Sequence, residues 1–448
     1  MKRFLTAGLF AFAAAAASAE TAPQPSTFHL DNGMQVVVVP DHRAPVVTHM
    51  VWYKVGAVDE APGKSGIAHL FEHVMFKETQ NIGPEEFTSI VQRSGGQLNA
   101  FTSWDYTAYF ERVHKDQLGK MMELEAERMV NLIINDDPEG PFISERDVVK
   151  EERRQRIENN PNALLQEQVL STLWQGHPYE ITVIGLMDEV AALTPQDGLD
   201  FYREYYSPEN AILVVAGDVT EETVRALAEE HYGPIQPTGS ANNERKWQPV
   251  QPLTKSQLIT HADPKVRQPV WSRYYLGTSF RRNEDKAYAL EVGLQVLGGG
   301  TTSRLYQSLV EEQQQAINVA TFGWTTLHDE GPAVIYGTPV SGVSLEALEG
   351  LVMTEIVNIL EDGFTEAEVI RARNQLAAAA IYQRDSQAAM AQLYGANLVL
   401  GFSMEDITAY PDRIRQVTPE QALAAVREVF APDKHYIVSH LLPAEGDF

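Results

Sequence analysis

His69-Leu70-Phe71-Glu72-His73 places two imidazoles four residues apart with a carboxylate between them. On a helix, positions i and i+4 stack on one face, so His69 and His73 can grip one metal ion. Glu72 lies beside that face and can act as general base on water without becoming a ligand. A catalytic zinc site needs three protein ligands and one open position, and the order here is the inverted H-x-x-E-H. Leu70, Phe71, Val74 and Met75 would bury the same helix, and polar groups beside a core need a reason to be there. The expectation is one zinc ion per chain, with Glu72 as the catalytic base.

A third ligand must come from elsewhere. The chain has no cysteine, so thiolate ligands and disulfides are excluded and only histidine or carboxylate remains. The stretch Glu145-Arg146-Asp147-Val148-Val149-Lys150-Glu151-Glu152 offers two carboxylates seven residues apart. That spacing is about two helical turns, which puts Glu145 and Glu152 on one face. One can bind metal while the other orients a ligand histidine. Glu151 and Glu158 compete for the same role, and spacing alone does not choose among them.

These residues need elements to hold them. The metal motif falls in a helix expected over 65–76, and the carboxylates in one expected over 143–159. Strands are expected over 27–30, 34–39 and 46–55, then Gln97–Thr102 paired with 106–113, then 211–216. Asp31-Asn32-Gly33 reads as the turn between the first two. Further helices fit 117–132, 163–174 and 221–232. Beyond a Pro-, Gly- and Asn-rich stretch the pattern returns, with strands at 257–260 and 269–276 and helices at 287–297 and 304–312. Thr365-x-x-Glu368 and Thr418-x-x-Gln421 read as capping boxes.

Tyr206-Ser207-Pro208-Glu209-Asn210, before the apolar Ile212-Leu213-Val214, is echoed by Phe430-Ala431-Pro432-Asp433-Lys434 before Tyr436-Ile437-Val438. Two related domains are therefore expected, over 20–236 and 257–448, with a linker at 237–256. Strands mixed with long helices indicate an α+β class, each domain an antiparallel-rich sheet packed with helices. A chain of 448 residues is too long for one ordinary core, which agrees.

Met1-Lys2-Arg3, an alanine-rich apolar run and Ala17-Ser18-Ala19 read as a cleavable secretory signal over 1–19. That run is too short for a membrane span, and no later segment supplies one. A net charge of −26 argues against nucleic acid as a partner and favours basic polypeptides.

The helix motif Ala68-His69-Leu70-Phe71-Glu72-His73, the 145–152 stretch and Gly96-Gln97-Leu98-Asn99-Ala100-Phe101-Thr102 resemble the pitrilysin-type (M16) zinc peptidases. The closest likeness is to the two-domain members related to the mitochondrial processing peptidase beta subunit. His177-Pro178-Tyr179 and Val215-Ala216-Gly217-Asp218 extend it over most of the chain. The resemblance implies a LuxS/MPP-like fold and a periplasmic endopeptidase acting on short or unfolded polypeptides. It makes Glu152 the third ligand beside His69 and His73, and Glu145 a further functional glutamate. It also implies that Asn99, Ala100, Phe101 and Thr102 form a strand that pairs with extended substrate.

The second half departs from the pattern. Aligning Leu305-Tyr306 with Leu70-Phe71 sets Arg304, Gln307 and Ser308 at the positions of His69, Glu72 and His73, so no second metal site is expected. Self-sufficient members of the family carry an Arg and a Tyr seven residues apart in this half. The matching positions here are Val310 and Ile317, which have no side-chain donor. The expectation is a heterodimer with a related subunit that lacks the zinc motif and supplies the pair, with a homodimer as the alternative. A non-catalytic assembly or peptide-binding subunit of the same fold is the competing reading.

Overall fold

The computed structural model describes residues 24–239, 245 and 247–444. The expected signal segment and part of the expected linker lie outside the described residues.

Two sheets organise the chain. The first contains β1 (Ser26–His29), β2 (Gln35–Pro40), β3 (Val46–Tyr53), β4 (Gln97–Thr102), β5 (Thr107–His114) and β6 (Ala211–Gly217), in the order β1-β2-β6-β3-β5-β4. The second contains β7 (Gln257–Asp263), β8 (Val270–Gly277), β9 (Ala316–Gly323), β10 (Gly331–Pro339) and β11 (Ile437–Pro443), in the order β7-β11-β8-β10-β9. With β1 set aside, the orders coincide. Each sheet has one parallel pair, β2 with β6 and β7 with β11, and is otherwise antiparallel. The echoed Pro-containing segments lead into β6 and β11, which hold the same place in their sheets.

Helices occur close to where the pattern sets them. The ones that matter for the site are α1 (Ile67–Val74), α2 (Glu86–Arg93), α3 (Leu118–Asn131), α4 (Pro141–Arg153) and α5 (Pro161–Leu173). Both capping boxes, Thr365 with Glu368 and Thr418 with Gln421, are formed.

Strands β2, β3 and β6 are apolar at nearly every position because both sheet faces are covered. Val36, Val38, Val47 and Val51 face helices of their own half. Val37, Met50, Trp52, Ile212 and Val214 face the helix Gln387–Val399, which belongs to the second half. The exchange is reciprocal: Leu165, Val169 and Leu173 of α5 pack with Ile437 and Leu441 of the second sheet. Gly395 makes the first contact possible, since a Cβ there would come within 2.0 Å of the Trp52 ring.

One sequence alignment is corrected. Segment 304–312 lies directly before β9, as α2 lies directly before β4. The counterpart of α1 is therefore the helix Glu284–Gly298, which follows β8 as α1 follows β3. Arg304, Gln307 and Ser308 correspond to the α2 region. The similarity of Leu-Tyr to Leu-Phe was too short to fix a register between halves related by topology. Glu284–Gly298 contains no histidine, so the expected lack of a second metal site follows from a different helix.

Candidate metal centre

Helix α1 is held from below by its apolar side. Phe71 packs among the rings of Phe201, Tyr202 and Tyr206, and Ile67, Leu70 and Val74 are buried with it. Its N-terminus has no side-chain cap of its own; Gly66 stands there with φ of +85°. Glu60 fills the role from outside the helix, accepting from Gly66 N at 3.0 Å and Ala68 N at 2.9 Å. Burial pushes the Glu60 carboxyl up to about 8, against those two donors. Carboxylates are favoured at helix N-termini, where orphan N–H groups point outward. Glu189 adds a third bond, accepting from Ser65 N at 2.9 Å.

The opposite face of α1 carries the motif, and α4 lies against it. His69 Nε2 stands 3.7 Å and His73 Nε2 3.3 Å from Oε2 of Glu152. Ligand atoms of His69, His73 and Glu152 all lie within 4.8 Å of one another. Oε2 of Glu152 is buried, and no donor among the described residues meets it with hydrogen-bond geometry. Two ring nitrogens and an unsatisfied carboxylate oxygen brought this close together are donor types that zinc takes. The residues present therefore fit the ion.

The surrounding groups hold that set in place. Glu145 Oε2 lies 3.1 Å from Nδ1 of His73, and its other oxygen accepts from Lys77 Nζ at 2.8 Å. Arg156 Nη1 donates to Oε1 of Glu152 at 2.8 Å, leaving Oε2 free. A π-helical turn over Arg154–Glu158 follows α4 and carries Arg156. Glu151 points away and pairs with Arg154, and Glu158 approaches Arg153. Neither of the competing carboxylates reaches the histidines.

The titration of the site follows its surroundings. Burial depresses His69 to about 4, with the Glu152 charge opposing. Burial alone would also depress His73, but the carboxylates of Glu145 and Glu152 beside it outweigh that and raise it to about 9. Glu72 is raised by burial, opposed by a bond from Thr102.

That bond joins two expected parts of the site. Thr102 Oγ1 donates to Glu72 Oε2 at 2.6 Å. Thr102 ends β4, which pairs with β5 and is the edge of its sheet among the described residues. Asn99, Ala100, Phe101 and Thr102 thus lie on an edge strand, but their side chains diverge, as strand geometry requires. Leu98 and Ala100 pack on the α1 side. Phe101 turns to the other face, where its ring meets Trp52 and Tyr106. Asn99 Oδ1 accepts from Ala100 N at 3.0 Å.

Sequence reasoning did not find Thr102 as a partner of Glu72, nor Arg156, Glu60 or Lys77. Arg156 had a signal, its i+4 spacing from Glu152. The others act across folds of the chain that no local pattern reports. In the second half, Val310 packs against the core and Ile317 is exposed on β9.

A second acidic group behaves differently. His49, Glu111 and Glu125 also come within 4.8 Å of one another but are fully buried. Arg128 forks onto Glu125 and lies 3.5 Å from Glu111. His49 lies 2.9 Å from Glu111 and 3.0 Å from the Tyr232 hydroxyl. A cation is already in place there, and the cluster ties β3, β5 and α3 together.

Residues 35–186 match the family model "Insulinase (Peptidase family M16)" and residues 192–376 match "Peptidase M16 inactive domain". The chain is 33% identical over 401 residues to Zinc protease PqqE of Helicobacter pylori, covering 88% of this chain and 87% of that protein. It is 25% identical over 435 residues to a probable mitochondrial-processing peptidase subunit beta of Schizosaccharomyces pombe, covering 95% and 92%. A protease from Helicobacter pylori of known crystal structure superposes with a TM-score of 0.84 at 30% identity, covering 94% of this chain and 100% of that one. The first half of the periplasmic protease PqqL from Escherichia coli shares the fold, with a TM-score of 0.77 at 19% identity over 93% of this chain and 92% of that one. By its identity to these relatives and its match to both family models, the chain belongs to peptidase family M16, among relatives named as zinc proteases.

Proposed function

We propose that the chain is a periplasmic zinc endopeptidase acting on short or unfolded polypeptides, with His69, His73 and Glu152 as ligands of a single ion. The observation that carries this reading is the contact between edge strand and base, Thr102 to Glu72, beside a buried carboxylate oxygen without a donor. An extended peptide adding to β4 would gain main-chain hydrogen bonds and lie next to Glu72. Phe101 would contribute its backbone, since its ring is committed to the other face. Zinc, when bound, lowers the pKa of water and polarises a carbonyl. Glu72 takes a proton from the attacking water and passes it to the leaving amine. Glu145 fixes the ring of His73 through Nδ1, and Arg156 holds one oxygen of Glu152 so that the other faces the ion.

The same proposal assigns residues 1–19 to an export signal and makes this chain the catalytic half of a heterodimer. Val310 and Ile317 cannot donate to a developing oxyanion, a deficit of about two to three orders of magnitude in rate. A related subunit without the zinc motif supplies the donors. The match of the second half to a model described as an inactive domain is in keeping with a supporting role for that half. Among the described residues, no helix is long and apolar enough to cross a membrane.

The test is cleavage of an unstructured peptide by the zinc-loaded chain, alone and with its copurifying partner. Glu72→Gln should retain zinc and lose about 10²–10⁴-fold in turnover. Equal turnover in the variant would end the peptidase reading. Full activity of the chain alone would end the heterodimer.

A further inference from the structure

Resting on that reading, we infer that the two halves together form a pocket selecting one bulky apolar side chain of the substrate. The strand β4 ends at Thr102, and the turn that follows, Ser103-Trp104-Asp105-Tyr106, forms one wall of a cavity of 230 Å³. Gly323, Trp324, Thr326 and Leu327 of the second half form the other wall. That volume matches about eight waters. The cavity begins one residue beyond the group that bonds Glu72, and successive residues of a strand advance about 3.3 Å. A peptide lying along the free edge of β4 and past Glu72 therefore brings a side chain to its mouth within one or two residues.

The lining decides which side chain. Trp104 and Trp324 stand with ring centroids 5.6 Å apart, and Trp174 supports both from behind at 5.6 and 6.0 Å. Trp104 Nε1 is already used, donating to Ile181 O at 2.8 Å. Asp105 is the one carboxylate in the lining, and it is committed elsewhere. It takes Arg245 Nη1 at 2.7 Å, the Tyr179 hydroxyl at 2.9 Å and His328 N at 3.1 Å. The walls thus offer aromatic faces, a leucine and two small hydroxyls, with no free charge to receive an ionic side chain. A charged group entering would lose water without a partner, whereas an apolar one gains by burial. Because the walls come from both halves, the pocket exists only when they are docked. The network of Asp105, Arg245, Tyr179 and His328 binds them at this point.

The experiment uses the zinc-loaded full chain and peptides identical except at one position near the scissile bond, occupied by Ala, Leu, Phe or Asp. Cleavage by wild type should favour Leu or Phe over Ala by about tenfold or more in kcat/KM at one position, with Asp below Ala. Thr326→Phe fills the cavity from an exposed position, and should bring the Phe-to-Ala ratio towards one while zinc content and Tm stay at wild-type values. Binding to Glu72→Gln is followed in parallel by tryptophan fluorescence, which Trp104 and Trp324 report directly. The Phe peptide should perturb it more than the Ala peptide, and Thr326→Phe should remove the difference. A ratio unchanged by Thr326→Phe, or no preference at any position in cleavage and binding alike, overturns the pocket. Equal cleavage by Glu72→Gln and wild type overturns the peptidase reading instead, and the fluorescence comparison then decides the pocket alone.

Discussion

In the first half, the helix between β3 and β4 that carries the motif is eight residues long, enters through a left-handed glycine and leaves one polar face open. Its counterpart in the second half, Glu284–Gly298, has fifteen residues and is buried nearly all round. Gly293 is pressed so closely against the neighbouring helix Pro419–Phe430 that a Cβ there would lie 2.4 Å from Val426. Beyond its first turn the polar side chains of this helix are committed, Glu291 to Thr325 and Tyr410 and Gln295 to Gln375, and it offers no histidine to a metal. One strand order thus serves two purposes, and the helix packing, not the sheet, decides which.

The comparison breaks most completely at Glu152, the proposed third ligand. Glu152→Ala should abolish copurification of zinc, as metal analysis would show, whereas Glu291→Gln in the second-half helix should leave metal content at one per chain. The next largest effect concerns what joins the halves. Gly395→Ala drives a methyl into the Trp52 ring, an overpacking cost of about 1–3 kcal/mol, which thermal unfolding should report as a lowered Tm. A smaller change tests the borrowed cap. Glu60→Ala should cost about 0.5–2 kcal/mol, the range for a lost N-cap, and should weaken zinc binding in a competition titration because α1 loosens where it presents His69.

The smallest effect is one of pH. Burial, opposed by Arg128 and aided by Glu111, raises the Glu125 carboxyl to about 8. A raised acid contributes stability below its unfolded value, and that contribution is lost as pH climbs towards the folded one. Thermal melts of Glu125→Gln and wild type should therefore diverge in the variant's favour between about pH 5 and 8. A constant difference in Tm across that window would show that Glu125 is ionised in the folded protein.

Much of this centre could be read from the chain. The spacing of His69, Glu72 and His73, and of Glu145 and Glu152, is a property of helices and survives into three dimensions. The α+β class and the recurrence of β6 as β11 were legible because apolar runs and Ser-Pro-Glu-Asn-like entries are local. The register between the halves was not, because Glu284–Gly298 keeps the place of α1 without keeping its residues. The contacts of Thr102 with Glu72 and Glu60 with Gly66 were equally hidden. Each depends on how separate elements meet, which periodicity does not encode. Phe101 shows the converse limit: a strand can be recognised while its ring's partner, Trp52, lies two strands away in the sheet.

The exchange of helices between sheets also governs how the chain comes to be folded. The first sheet is complete in sequence at β6, yet its face of Val37, Met50, Trp52 and Val214 stays bare until residues 387–399 are present. A chain folding from its N-terminus therefore holds a large apolar surface open through most of its own synthesis. Such surface invites aggregation and chaperone binding, and the half that carries the histidine motif cannot mature ahead of the half that lacks it.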